Sequence, residues 1–273
     1  MSIPNPSPES ETPLTPVAGA PSLDASAHNG EPDMSPGLRF LNLFVAPTEL
    51  FEHLARVPAR PMNWILPLLL NCIAIVAFTL ISFSNPSVVQ ETRDLQSRQL
   101  DKLVSEGKIT AEQRNQQVEA MEKFSSVVPL IGSIAGAVGM VLFAFITGAV
   151  VWLVANKALR VPIDFAKSMD ISGVVGLISV PGTLVKLALV MLRGSINVGA
   201  NLGIFFPDVP MGSPLATALA GCDFFILWTV ALLALGVGTV TRRGFKTALP
   251  WFGGLWLGLM VLTIAWSAMT YSK

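Results

Sequence analysis

Five stretches of this chain are too long and too apolar for a water-soluble fold to cover: residues 64–83, 128–154, 171–192, 215–240 and 249–271. A helix needs about 20 apolar residues to cross a hydrocarbon core, and each stretch supplies that many. Their apolar residues run continuously, without the alternation of barrel strands. Composition agrees, because charged residues make up 13% of the chain, against about 25% in an ordinary soluble domain. The expected fold is an all-α integral membrane protein, a five-transmembrane-helix bundle with a helical hairpin between spans one and two.

Of the 18 basic and 18 acidic residues, only Lys186 and Asp223 fall within these five stretches. Arg39, Arg56 and Arg60 precede the first span. Lys157, Arg160 and Lys167 follow the second, and Arg242, Arg243 and Lys246 follow the fourth. The opposite side carries Arg193 in loop 193–214 and Lys273 at the end. The positive-inside rule then predicts a cytoplasmic N-terminus and a C-terminus outside. Loop 84–127 holds six basic and seven acidic residues and favours neither side.

Residues 1–36 contain eight prolines and no periodic apolar pattern. Such a stretch buries too little surface to offset chain entropy, so it reads as a disordered cytoplasmic tail. It lacks the basic start and apolar core of a signal peptide, and the first span is expected to serve as the insertion signal. The membrane domain is expected over residues 37–271.

Two amphipathic pieces lie outside the spans. Pro47 suits a helix's first turn, and Glu49 favours its positive N-terminal pole. Leu50, Phe51 and Leu54 share one face, with Phe40, Leu41 and Phe44 just upstream. The segment reads as a cytoplasmic interface helix or as a helix packed on the bundle's own ends, and both readings stay open. In the outer hairpin, 85–127, Leu95, Leu100 and Leu103 line the first helix and Val118, Met121 and Phe124 the second. Thr110 with Gln113 forms a capping-box pattern at the second helix's start.

Glycines at 132, 136, 139, 173, 176, 182, 254 and 258 are expected to let helix backbones approach closely. Pro181 is expected to kink the third span, with a neighbouring helix satisfying the freed carbonyl. Lys186 and Asp223 lie at matching depth on consecutive helices, which makes them a candidate intramembrane ion pair. The expected role is a bundle clamp, and the competing role is a polar path.

Catalytic signatures are missing. No H-E-x-x-H occurs, His28 and His53 lie outside the spans, and Asp223 has no second intramembrane carboxylate beside it. No Walker-type phosphate loop occurs. The two cysteines, Cys72 and Cys222, sit in apolar runs and form neither a disulfide framework nor a metal spacing. No enzyme activity, cofactor or metal is expected, and zero net charge gives no basic face for nucleic acid.

The order of motifs is distinctive: F-V-A-P-T-E-L-F at 44–51, N-W-I-L-P-L at 63–68, S-E-G-K-I-T-A-E-Q at 105–113, V-P-G-T-L at 180–184 and T-R-R-G-F-K-T-A at 241–248. Together they resemble the Yip-one domain family of five-span membrane proteins over roughly residues 40–270. The resemblance implies a membrane scaffold or adaptor. Eukaryotic members sit in Golgi and endoplasmic reticulum membranes and bind Rab-type GTPases. This chain lacks their D-L-Y-G-P signature, and its only tyrosine is Tyr271. The long outer hairpin is similar to bacterial members, which implies a bacterial inner-membrane protein, and GTPase binding is carried over to no residue. Expected partners are membrane lipids and a protein partner or second copy. The alternative function is a channel or transporter component using Lys186 and Asp223.

Overall fold

A computed structural model describes residues 34–124 and 127–271 of the chain. The expectation for residues 1–33 lies outside the described residues. The compact body, Pro36–Lys273, is built of helices: α1 Pro36–Val45, α2 Pro47–Arg56, α3 Met62–Ser82, α4 Pro86–Ser105, α5 Ala111–Lys123, α6 Val128–Leu153, α7 Phe165–Gly176, α8 Ser179–Arg193, α9 Pro214–Gly221, α10 Phe224–Val240 and α11 Phe245–Tyr271. Among the described residues, four segments are long and apolar enough to span a membrane: Met62–Ser82, Val128–Ala158, Phe165–Arg193 and Phe245–Tyr271. A fifth apolar helix, Phe224–Val240, has 17 residues.

The expected span 215–240 is therefore not one continuous helix. It breaks at Cys222–Asp223, where the Asp223 carboxylate accepts the Phe225 and Ile226 N–H groups at 2.8 and 3.2 Å. A short acidic side chain that caps a helix in this way starts a new helix at its own position. The Phe224 N–H leaves the helix and donates to the Ala200 carbonyl at 3.1 Å.

The third span begins earlier than expected, at Phe165, and α7 gives way to α8 at Leu177–Ile178. Pro181 supplies the reason, since it has no N–H to give the Leu177 carbonyl. The turn tightens so that the Val180 N–H serves Leu177 at 3.2 Å. That leaves the Gly176 carbonyl, and Asn71 Nδ2 of α3 donates to it at 2.9 Å. The neighbouring helix thus intervenes one carbonyl earlier than the proline alone would indicate.

Helix α3 packs against α6, α7 and α8, while α2 packs against α7 and α10. The fully buried side chains Leu50, Phe51, Leu54, Ile171, Val174 and Leu232 gather near the α2 end. Elsewhere the spans present apolar side chains outward. Only 11% of the most apolar window of Val128–Ala158 is buried, so lipid must solvate the rest.

Glycines divide into two groups. A Cβ on Gly173 would meet the Trp64 Cα and Cβ, and one on Gly236 would lie 2.7 Å from Phe51 Cε1. The expected close approach does not occur at Gly139, Gly176, Gly254 or Gly258, where nothing lies within 4 Å. Helical spacing in the sequence does not reveal which face meets a neighbour.

Candidate functional site

The α2 end of the bundle holds its densest buried polar cluster among the described residues. Pro47 opens α2 and Glu49 stays exposed in its first turn. Leu50, Phe51 and Leu54 are fully buried. These three side chains pack on the bundle's own end, against α7 and α10. The apolar face that stays exposed belongs to α1, where Leu38, Phe40, Leu41, Phe44 and Val45 point outward while Arg39 and Leu43 are buried.

Two charged residues of α7 anchor this end. Lys167 Nζ donates to the Leu54 and Val57 carbonyls at 2.8 and 2.7 Å. A cation there also meets the negative pole of α2. Asp170 is fully buried and accepts the Arg60 N–H at 3.1 and 3.3 Å. Lys167 lies 3.7 Å from the same carboxylate. From α1, the Arg39 guanidinium donates to Asn63 Oδ1. Every segment from α1 to the start of α3 is thereby held to α7 or to its neighbour.

None of this was predicted from the sequence. Arg39 and Lys167 read as loop cations that set orientation, and Asp170 fell one residue outside the expected span. The available signal was the Lys–Asp spacing of three, which puts both groups on one helical face. Their partners are carbonyls and N–H groups 110 and 113 residues away in the chain, and side-chain pattern cannot show those. Above the cluster, α1 stands off α3 and leaves an apolar groove of about 280 Å³ lined by Phe40, Met62, Leu66, Leu70 and Val174.

At the other end, Lys186 and Asp223 are not brought together. Lys186 Nζ sits 5.6 Å from the centre of the Phe78 ring on α3. Asp223 spends its carboxylate on the start of α10. Among the described residues no ion pair joins them. A carboxylate that does organise this end is Glu91 of α4. It accepts from Ser195 Oγ at 2.6 Å, the Ile196 N–H at 2.9 Å and Asn197 Nδ2 at 3.2 Å. These bonds tie α4 to the loop after α8. Thr110 and Gln113 make the reciprocal capping box at the start of α5.

Among the described residues no group of three His, Cys, Asp or Glu side chains could hold a metal ion. Cys72 and Cys222 are free thiols.

The Yip1 domain matches residues 41–267. The chain belongs to the Yip1 family. No curated protein and no solved structure matches it. The Yip1 match opens inside α1 and closes inside α11, so it takes in Asn63, Lys167 and Asp170 of the buried cluster as well as the Glu91 staple. With four membrane-length apolar segments among the described residues, this Yip1-family chain is an integral membrane protein.

Proposed function

We propose that this Yip1-family protein is a non-enzymatic, five-span membrane scaffold whose working surface is the outward face of α1. The observation that carries this reading is the contrast between neighbouring helices. Helix α2 buries Leu50, Phe51 and Leu54 completely, whereas α1 leaves Leu38, Leu41, Phe44 and Val45 between 40 and 72% exposed. An apolar face held on a rigid base suits docking to a partner helix or to the membrane interface. A protein partner or a second copy of the chain would occupy that face.

Five crossings follow if the broken α9–α10 segment traverses the bilayer. Helix α10 alone reaches about 26 Å at 1.5 Å per residue, close to a hydrocarbon core about 30 Å thick. Nine cations cluster at the α2 side, Arg39, Arg56, Arg60, Lys157, Arg160, Lys167, Arg242, Arg243 and Lys246, which favours a cytoplasmic α2 end. The hairpin α4–α5 would then stand outside, and a bacterial inner membrane would be the home of the protein.

The test replaces three exposed α1 residues together, Leu41→Ser, Phe44→Ser and Val45→Ser, and isolates wild type and variant from the native membrane in mild detergent. A stoichiometric partner, or self-association, lost in a variant of unchanged thermal stability is the expected outcome. Identical accompanying proteins and oligomeric state in both would overturn the reading.

A further inference from the structure

We infer that Lys186 and Arg193 of α8 form a phosphate site for an anionic phospholipid in the leaflet on the hairpin side. The site lies at the far end of the bundle from α1 and uses no residue of the proposed scaffold surface.

The two cations are seven residues apart, nearly two helical turns, so they share one face to within about 20°. Both are exposed. Around them α8 shows lipid an apolar surface, with Leu184 58%, Val185 41% and Leu192 81% exposed. Lys186 lies about 10 Å deeper than Arg193 at 1.5 Å per residue. An unneutralised cation at that depth in hydrocarbon marks a site that expects an anion.

The nearby carboxylates do not supply one. Glu91 is committed to Ser195, Ile196 and Asn197, and Asp223 to the N–H groups of Phe225 and Ile226. Among the described residues neither cation pairs with a carboxylate; Lys186 has only the face of Phe78 beneath its ammonium. Phe78 lies four residues from the end of α3 at Ser82, about 6 Å along the axis.

Charge and depth select the ligand. A zwitterionic headgroup brings its own cation and would leave the site positive, whereas an anionic phospholipid neutralises it. Free phosphate would have to shed water to approach Lys186, while a lipid phosphate is held at the interface by its own chains. Room for the glycerol region exists beside Arg193, in a cavity of about 350 Å³ also bounded by Leu189, Val198, Ile204 and Leu219.

The test uses the full chain in mild detergent and native mass spectrometry during titration with phosphatidylglycerol or phosphatidylcholine. Wild type should take up one phosphatidylglycerol in preference to phosphatidylcholine. Lys186→Met and Arg193→Gln should each lower that preference about five-fold, the scale of one basic residue at an anionic surface. The charge-keeping pair Lys186→Arg and Arg193→Lys should retain it, and proteins bound at α1 should be unaffected by any of these changes. If the Lys186 variant does not fold, Arg193→Gln alone decides, since it lies at an exposed helix end. Unchanged preference in these variants would overturn the site. Displacement of the lipid from wild type by millimolar inorganic phosphate would show that the site takes a free anion instead.

Discussion

Asp170 and Lys167 together hold the connection between α2 and α3, and the cost of breaking them should exceed that of any surface pair. Removing one partner of a fully buried charge pair costs about 3–5 kcal/mol; Lys167 is half-buried and keeps two carbonyl partners, which sets that range as the upper bound here. Asp170→Asn should therefore lower the unfolding midpoint in detergent strongly. Adding Lys167→Met should recover part of the loss, and strict additivity of the two changes would show that they act separately. Asp223 behaves differently. Asp223→Ala should cost about 1 kcal/mol, the value of a helix cap, and should show no coupling to Lys186→Met in the same unfolding assay. Coupling of more than about 0.5 kcal/mol would restore the ion pair suggested by their matching depth.

Between elements, packing is decided by a few close approaches. Gly236→Ala puts a methyl group against Phe51 and Ile171, 2.7 and 2.9 Å from their nearest atoms. Overpacking of this kind costs about 1–3 kcal/mol, so α2 should loosen from α10. Gly258→Ala adds its methyl where nothing lies within 4 Å, and the better helix propensity of alanine should leave stability unchanged or slightly raised. Thermal unfolding of the two variants side by side checks this, and equal losses would mean that α11 packs against another surface through Gly258. The α7–α8 junction works by the same accounting of backbone groups. Asn71 serves both the Pro67 and Gly176 carbonyls at 2.9 Å, so α3 stabilises the break that Pro181 creates.

For the whole molecule, the fifth crossing rests on the α9–α10 segment. Five crossings require the chain after Tyr271 and the chain around Arg242–Arg243 to face opposite sides. Reporter fusions at the two positions should accordingly give opposite compartment signals, with the Arg242–Arg243 fusion cytoplasmic. Opposite signals with the Arg242–Arg243 fusion outside would mean that α9–α10 does not cross. The bundle also has different ends. One carries α1, α2 and the Arg39–Asn63 and Lys167–Asp170 contacts, and the other carries α4, α5 and the Glu91 staple.

Membrane character, helical class and family were all legible in the chain, because each depends on local sums: apolar length, charge density and the order of short motifs. The start of helix α2 at Pro47 was legible, since proline and helix-dipole preferences act within a single turn. The reading could not choose between lipid and protein for its apolar face. Both solvents select the same residues, and only the position of α7 and α10 showed that Leu50, Phe51 and Leu54 meet protein. The break at Cys222–Asp223 was missed for a related reason. Hydropathy averages over a window, whereas one carboxylate turned onto its own backbone ends a helix at a point. Sequence alone determined that this chain must dissolve most of its surface in lipid. The fold decided which charges are held by partners, the half-buried Lys167 and the buried Asp170, and which are left facing outward, Lys186 and Arg193. Pairing depends on distances between residues remote in the chain, and no local property of either residue encodes those distances.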